Sequence, residues 1–196
     1  MQKRGCLIRL LTFAVFVVTA VGPTTVSAAD NYSIDTAHSY VLFRVKHLQI
    51  GYSYGRFNGL TGTMVFDEAS PSNSAVTLQL EAKNVDTFVT KRDDHLRSAD
   101  FFHVEKHPFI RFQSRSFEKV GDDTYRVTGD LTLLGRTRAI SAEALQTGAG
   151  KDPWGNYRRG FETRFSINRS DFGMDYMLSG VSDQVDITVS IEVIRK

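Results

Sequence analysis

Arg92, Asp93 and His95 bring a guanidinium, a carboxylate and an imidazole together in one short polar stretch. A guanidinium can grip a phosphate or donate hydrogen bonds to a carbonyl oxygen, and an imidazole changes its charge near neutral pH. These residues are our candidates for binding the polar end of a ligand. The alternative is that Arg92 and Asp93 bond locally and tie their segment to the rest of the fold, and the sequence leaves both interpretations open.

Other groups of chemically active residues are weaker candidates. His103 and His107 have the i, i+4 spacing of a helical metal site, but Pro108 disfavours a helix there and no third ligand lies nearby. Asp93 and Asp94 are adjacent, so on a helix they would diverge and form a poor acid–base pair. Gly51–Gly55 has the spacing Gly-x-Ser-x-Gly, but it lies between two predicted strands and not between a strand and a helix, so it is not a nucleophile elbow, and the sequence has no phosphate-binding glycine loop. We therefore predict no bound metal, no cofactor and no enzymatic activity.

The segment around Arg92 is predicted to be the one helix in a chain that is otherwise strand and turn. Thr90 is placed to cap its N-terminus, and acidic residues fill its first turn, where the helix dipole favours negative charge. Ser98 breaks the run, and Phe101 and Phe102 follow. A short polar helix over about residues 90–98, ending in an aromatic pair, is predicted to lie at one end of a sheet as a plug or lid.

Alternation of apolar and polar residues predicts eight strands. They are Val41–His47, Leu60–Phe66, Val76–Ala82, Ile110–Arg115, Tyr125–Leu133, Thr137–Leu145, Phe161–Ile167 and Val185–Val193. Gly51–Gly55 is interpreted as a turn. Strands that each bury one face fit an antiparallel sandwich or a closed barrel, and closure would remove the unpaired edges.

The N-terminal segment has the pattern of a cleaved secretory signal peptide over residues 1–28. A basic start is followed by an apolar run, then by small residues up to Ala28 and Ala29. Residues 29–196 are then a single exported domain with no transmembrane segment, predicted to reside in the periplasm. Cys6 is the sole cysteine and leaves with the signal, which excludes disulfides and thiolate chemistry in the mature protein.

Charge and composition narrow the class of partner. The chain of 196 residues has a net charge of +2, but removing Lys3, Arg4 and Arg9 leaves 21 basic and 22 acidic residues, a net charge of −1. Nucleic acid is therefore not a predicted partner. Hydrophobic residues make up 41% of the chain, which is enough to bury a core.

Seven motifs, in order, resemble those of the YceI-like, polyisoprenoid-binding family. They are Asp35–Ser39 with Phe43 and His47, Gly55–Phe57 with Gly62, Arg92–Leu96 with Ser98, Asp100–Phe102, Pro108–Phe112 with Ser114, Gly129–Gly135 and Asn168–Gly173. The resemblance implies an all-β fold, an extended eight-stranded antiparallel lipocalin-like barrel. It also implies a periplasmic carrier whose lumen holds an isoprenoid lipid, such as a polyprenyl phosphate or a quinone.

Twelve inward-facing residues are our candidates for contacting the lipid tail. They are Phe43, Val45, Leu60, Met64, Leu78, Leu80, Ile110, Phe112, Leu131, Phe165, Ile187 and Val189. The candidates for the head group are Arg92, Asp93, His95 and His47, the last being either a head-group ligand or a satisfied interior histidine. The sequence does not distinguish a lined lumen from a solid core.

Two alternative functions and the oligomeric state stay open. The first is an enzyme acting on such a lipid through Arg92, Asp93 and His95. The second is a filled barrel that binds another protein through Tyr52 and Tyr54. A homodimer is equally left open.

Overall fold

The computed structural model describes residues 29–196, so the predicted signal peptide and Cys6 lie outside the described residues. The strands are β1 Asp30–Ile34, β2 Tyr40–His47, β3 Gly51–Phe57, β4 Thr61–Phe66, β5 Ala75–Glu81, β6 Val85–Asp86, β7 Phe109–Lys119, β8 Thr124–Leu133, β9 Arg136–Lys151, β10 Tyr157–Asn168 and β11 Val181–Arg195. The helix α1 is Thr90–Arg97, and short 3₁₀ turns cover Pro71–Asn73, Ala82–Asn84 and Arg169–Phe172.

Eight of these strands form a closed antiparallel ring in the order β1-β4-β5-β7-β8-β9-β10-β11, and β11 returns to β1 through Ile34 opposite Val193. This confirms the predicted all-β, eight-stranded barrel. The ring contains β1, which the sequence did not predict, in place of the predicted Val41–His47 strand. That strand, β2, branches from β11 beside β1 and carries β3 and β6 outward. With 15 residues, β11 is long enough to pair with both β1 and β2 along one edge.

The prediction of a turn at Gly51–Gly55 is wrong. The chain turns earlier, at Leu48 and Gln49, whose φ angles are +51° and +57°, and β3 then pairs with β2 from Gly51 onward. Packing, and not a turn, requires glycine at position 55, because a Cβ on Gly55 would clash with the ring of Phe43. Both Tyr52 and Tyr54 are therefore exposed strand residues, not part of an aromatic turn.

Aromatic rings fill one end of the barrel, which we call the aromatic end. The Phe66 ring lies 5.3 Å from Tyr125 and 5.4 Å from Phe161, both edge to face, an arrangement that aromatic quadrupoles favour. The guanidinium of Arg159 stacks 4.9 Å from Phe66 and donates to the Tyr32 hydroxyl at 2.9 Å. This end is therefore packed solid.

The opposite end, which we call the helix end, carries α1. The helix agrees with the predicted 90–98, but Thr90 is its first residue and not its cap, because Val89 precedes it in an extended conformation. His95 packs edge to face against Phe101 at 5.1 Å and Tyr176 at 5.5 Å. These contacts join the helix to the segment that enters β11.

An ion cluster centred on Arg158 ties β10 to the loop after β1 and to β11. Its guanidinium contacts Asp35 at 2.5 Å, Glu192 at 2.6 Å and Asp152 at 2.7 Å. Burial raises the pKa of Asp35, but hydrogen bonds from His38, Arg158 and the Ala37 amide outweigh it and bring this pKa to about 2. Burial likewise raises the pKa of Asp152, and bonds from Asn156 and Arg158 bring it to about 2.

Both carboxyl groups should therefore make the protein acid-sensitive. Their pKa values in the folded state lie below the ~3.9 of an unfolded aspartate, so the unfolded chain binds more protons in acid. Their contribution to stability is complete above about pH 4 and is lost as the pH falls toward 2. We expect Arg158→Met to flatten this pH dependence, measured by urea unfolding at several pH values. An exposed control, Arg115→Met, should retain it, and an unchanged profile in Arg158→Met would contradict the assignment.

Candidate functional site

A cavity of about 250 Å³ runs inside the barrel. One water molecule needs only ~10–15 Å³ on the same measure, so this is a lumen and not a packing defect. Its wall extends from Phe117 and Phe161, beside the aromatic end, to Phe101, Met174 and Val181 at the helix end. The barrel is therefore hollow, which contradicts the alternative of a filled interior.

All twelve residues proposed to contact a lipid tail lie on the wall of this cavity. They come from β2, β4, β5, β7, β8, β10 and β11, together with Leu60 just before β4. Leu60, Met64, Leu80 and Leu131 are buried, and the others are partly accessible from the lumen. Their role in tail binding stays a prediction, because position alone does not show a ligand contact.

The wall also contains apolar residues that sequence reasoning did not select. They are Val41, Phe57, Val76, Leu96, Phe101, Phe102, Phe117, Val127, Leu133, Ile140, Ala142, Ala144, Phe161, Ile167, Met174, Val181, Val185 and Ile191. Most share the alternation of the selected residues and could have been found by extending it. Leu96, Phe101, Phe102 and Met174 lie outside strands, where no period of two exists to reveal them.

Few polar residues reach the wall, and their polar groups are largely engaged. The polar members are Arg111, Glu162, Thr163 and Arg169. Arg111 donates to Gln79 at 2.9 Å, and the Thr163 hydroxyl donates to the carbonyl of Glu143 at 2.8 Å. Buried polar ligand groups would find few partners here and would carry a desolvation cost, so the lumen favours a hydrocarbon.

Arg169 organises the helix end of the lumen. Its side chain is 3% exposed and donates to four carbonyl oxygens, those of Met174, Tyr176, Val181 and Ser182, at 2.9–3.0 Å. Burial lowers the pKa of Arg169, and Asp183 and Asp175 act in the opposite direction. One guanidinium thus holds the segment from Met174 to Ser182 against the barrel.

Arg92 and Asp93 both bond to Thr87. The guanidinium of Arg92 donates to the hydroxyl and the carbonyl of Thr87, each at 2.7 Å. The buried carboxylate of Asp93 accepts from the Thr87 amide at 2.8 Å and from its hydroxyl at 2.5 Å. This matches the alternative in which the pair ties the helix to the barrel. Their role as head-group ligands stays a prediction, and neither side chain reaches the wall of the lumen.

Removing this carboxylate should destabilise the protein. We expect Asp93→Ala to lower the free energy of unfolding by about 1–3 kcal/mol, because the buried Thr87 amide loses its acceptor. Asp94→Ala is the matched control, since Asp94 is exposed and pairs only with Arg97, a contact worth less than about 1 kcal/mol. If chemical denaturation shows equal losses of unfolding free energy in the two variants, the hydrogen bonds between Asp93 and Thr87 do not stabilise the fold as proposed.

His95 and His47 lie at the helix end but not on the cavity wall. His95 is exposed, and its Nε2 lies 2.8 Å from a carboxylate oxygen of Asp100. His47 is exposed at the end of β2, opposite Gly51 and Val181. It is therefore not an interior histidine, and head-group binding by either residue stays a prediction.

One cluster among residues 29–196 has the composition of a metal site. Ligand atoms of Asp35, His38 and Glu192 lie within 4.8 Å of one another. The guanidinium of Arg158 already contacts both carboxylates, so the protein itself supplies the positive charge there. The cluster is best understood as the ion network described above.

The fold and the site define a class of protein: a closed antiparallel barrel around an elongated, almost wholly apolar lumen. The chain belongs to the YceI-like family, whose domain matches residues 32–193, and this confirms the resemblance seen in the motifs. Protein YceI of Escherichia coli O6:H1 is 40% identical over 188 residues, which cover 95% of this chain and 96% of the relative.

Two solved structures share the fold. BcnA of Burkholderia cenocepacia superposes with a TM-score of 0.74 at 23% identity, over 81% of this chain and 98% of that one. A polyisoprenoid binding domain from Saccharophagus degradans gives a TM-score of 0.67 at 14% identity, over 84% of this chain and 98% of that one. At these identities the likeness establishes the architecture. No helix of the described part of the chain is long and apolar enough to cross a membrane.

Proposed function

We propose that this protein is a periplasmic carrier that sequesters a long-chain isoprenoid lipid, a polyprenyl phosphate or an isoprenoid quinone, in the barrel lumen. The single observation that carries the proposal is the apolar cavity that runs from the aromatic end to the helix end. In this proposal residues 1–28 are the cleaved signal peptide and residues 29–196 are the exported carrier.

The energetics suit a hydrocarbon tail. Burial of apolar surface contributes roughly 25 cal/mol per Å², less the cost of ordering a flexible chain. The 15 residues of β11 would extend over roughly 50 Å at ~3.3 Å per residue. Strands tilt by about 35–45° in a barrel, so the lumen is shorter than this but still deep. A long, narrow, apolar space favours an extended chain over a compact ligand.

The comparisons support this choice of ligand. The Saccharophagus degradans domain of the same fold is described as polyisoprenoid binding, and the chain is a member of the YceI-like family. Binding without catalysis is the better proposal, because Arg92 and Asp93, two of the three groups invoked for an enzyme, are bonded to Thr87. Turnover of a prenyl diphosphate that is lost in His95→Ala would favour the enzyme instead.

Lipid extraction tests the proposal. Protein purified from the bacterial periplasm should release a long-chain isoprenoid, close to one per chain, into organic solvent, where mass spectrometry identifies it. A protein that releases no lipid, and that gains no mass when incubated with prenyl lipids in native mass spectrometry, would exclude the carrier role.

A further inference from the structure

A second pocket, of about 330 Å³, lies at the helix end of the barrel. Its wall includes Phe101, His103, Lys106, His107, Arg136 and Gly173. Phe101 belongs to the walls of both cavities, so the pocket adjoins the lumen across one ring. The two differ in chemistry, because the second pocket gathers two imidazoles, an ammonium and a guanidinium and has no acidic residue in its wall.

Arg136 stands apart from the other arginines of the structure. Among residues 29–196 it is the one arginine whose side chain makes no hydrogen bond or ion pair, whereas the buried Arg169 donates to four carbonyl oxygens. Its guanidinium lies directly over Gly173, where an added Cβ would come within 2.7 Å of its Cζ. Gly173 has φ +83°, a conformation that favours glycine. Because glycine has no Cβ, the guanidinium of Arg136 can lie against the backbone here.

A second glycine, beside the pocket wall, also lies under a basic side chain. The ring of His107 lies over Gly135, with Cε1 at 3.0 Å from the position of an added Cβ. The rings of His103 and His107 are 5.8 Å apart. Burial lowers the pKa of His107, and the charges of Lys106 and His103 lower it further. Like charges confined together repel one another, and an anion among them would remove that cost.

We propose that His103, Lys106, His107 and Arg136 form a binding site for a phosphate-type anion. Arginine grips phosphate through two parallel hydrogen bonds, and lysine adds a point charge. The anion is either the head group of a prenyl phosphate whose tail occupies the lumen, which rests on the proposed function, or free phosphate. The site differs from the head-group residues predicted from the sequence, since Nε and Nη2 of Arg92 already bond to Thr87.

Calorimetry with three probes tests the site: geranylgeranyl diphosphate, geranylgeraniol and inorganic diphosphate. In Arg136→Gln we expect affinity for geranylgeranyl diphosphate to fall at least about 10-fold, since a charged hydrogen bond is lost, while affinity for geranylgeraniol stays unchanged. Lys106 is exposed, as Arg136 is, and Lys106→Gln should also lower the affinity for geranylgeranyl diphosphate. Lys119→Gln removes the same charge at the far end of β7 and should leave all three affinities unchanged.

The outcomes separate the two ligand sources and the two proposals. If Arg136→Gln loses inorganic diphosphate but retains geranylgeranyl diphosphate, the site is supported with a free anion as its ligand. If Arg136→Gln and Lys106→Gln bind geranylgeranyl diphosphate and inorganic diphosphate as tightly as the wild type does, the proposed anion site is wrong. Failure of every form to bind geranylgeraniol would contradict the carrier function alone, because the inorganic diphosphate titration would still report on the anion site.

Discussion

Replacing Ala142 with tryptophan should empty the lumen of lipid while the barrel stays folded. Ala142 lies on β9, on the wall of the cavity between Ile140 and Ala144. An indole at this position would occupy space that a lipid tail needs. The adjoining cavity lets the ring extend without the strain of overpacking a close-packed core. Lipid extraction should then recover little or no isoprenoid, and the circular dichroism spectrum should match that of the wild type.

The same substitution on the outer face of β9 provides the control. Ala139 is exposed and lies on the side of the strand opposite to the lumen. Ala139→Trp should therefore retain the lipid content of the wild type. Full retention of lipid in folded Ala142→Trp would show that the ligand does not occupy this cavity.

Replacing Arg169 with methionine should destabilise the protein strongly. Four carbonyl oxygens would lose a buried charged donor together. A buried acceptor left without its donor typically costs about 1–3 kcal/mol, so the loss of four should cost at least about 3 kcal/mol. Methionine keeps much of the apolar stem, so the loss reports mainly on the hydrogen bonds. We expect a decrease of this size in the free energy of unfolding, measured by urea denaturation.

Arg164, on β10 just before the 3₁₀ turn that carries Arg169, is the matched control. Its side chain is 76% exposed and pairs only with Glu162, so Arg164→Met should cost less than about 1 kcal/mol. A loss below about 1 kcal/mol in Arg169→Met would mean that the segment from Met174 to Ser182 holds its place without the arginine.

Alternation in the sequence predicted eight of the strands that line the lumen and twelve of the residues on its wall. In β11, for example, Val185, Ile187 and Val189 alternate with polar residues, and all three reach the cavity wall. A period of two specifies which residues share a face. It does not specify how much space lies behind that face, so the same pattern was compatible with a solid core.

Features that depend on tertiary contacts were not predictable. Gly55 was read as a turn residue, although it lies within β3 under the ring of Phe43. The sequence did not show that Arg92 and Asp93 form hydrogen bonds with Thr87. Only the folded structure determines which partner a polar side chain meets. The cationic pocket was missed because Arg136 and His107, 29 positions apart, meet only at the helix end of the closed barrel.

The most direct test of the carrier role is an electron-density map of the lumen, from crystals of protein purified from the periplasm without added lipid. We expect continuous, chain-like density along the cavity, in contact with Phe43, Leu78 and Ile187 and extending toward the helix end. A cavity that contains only ordered water, or that is closed by side chains packed across it, would show that the barrel does not carry a lipid.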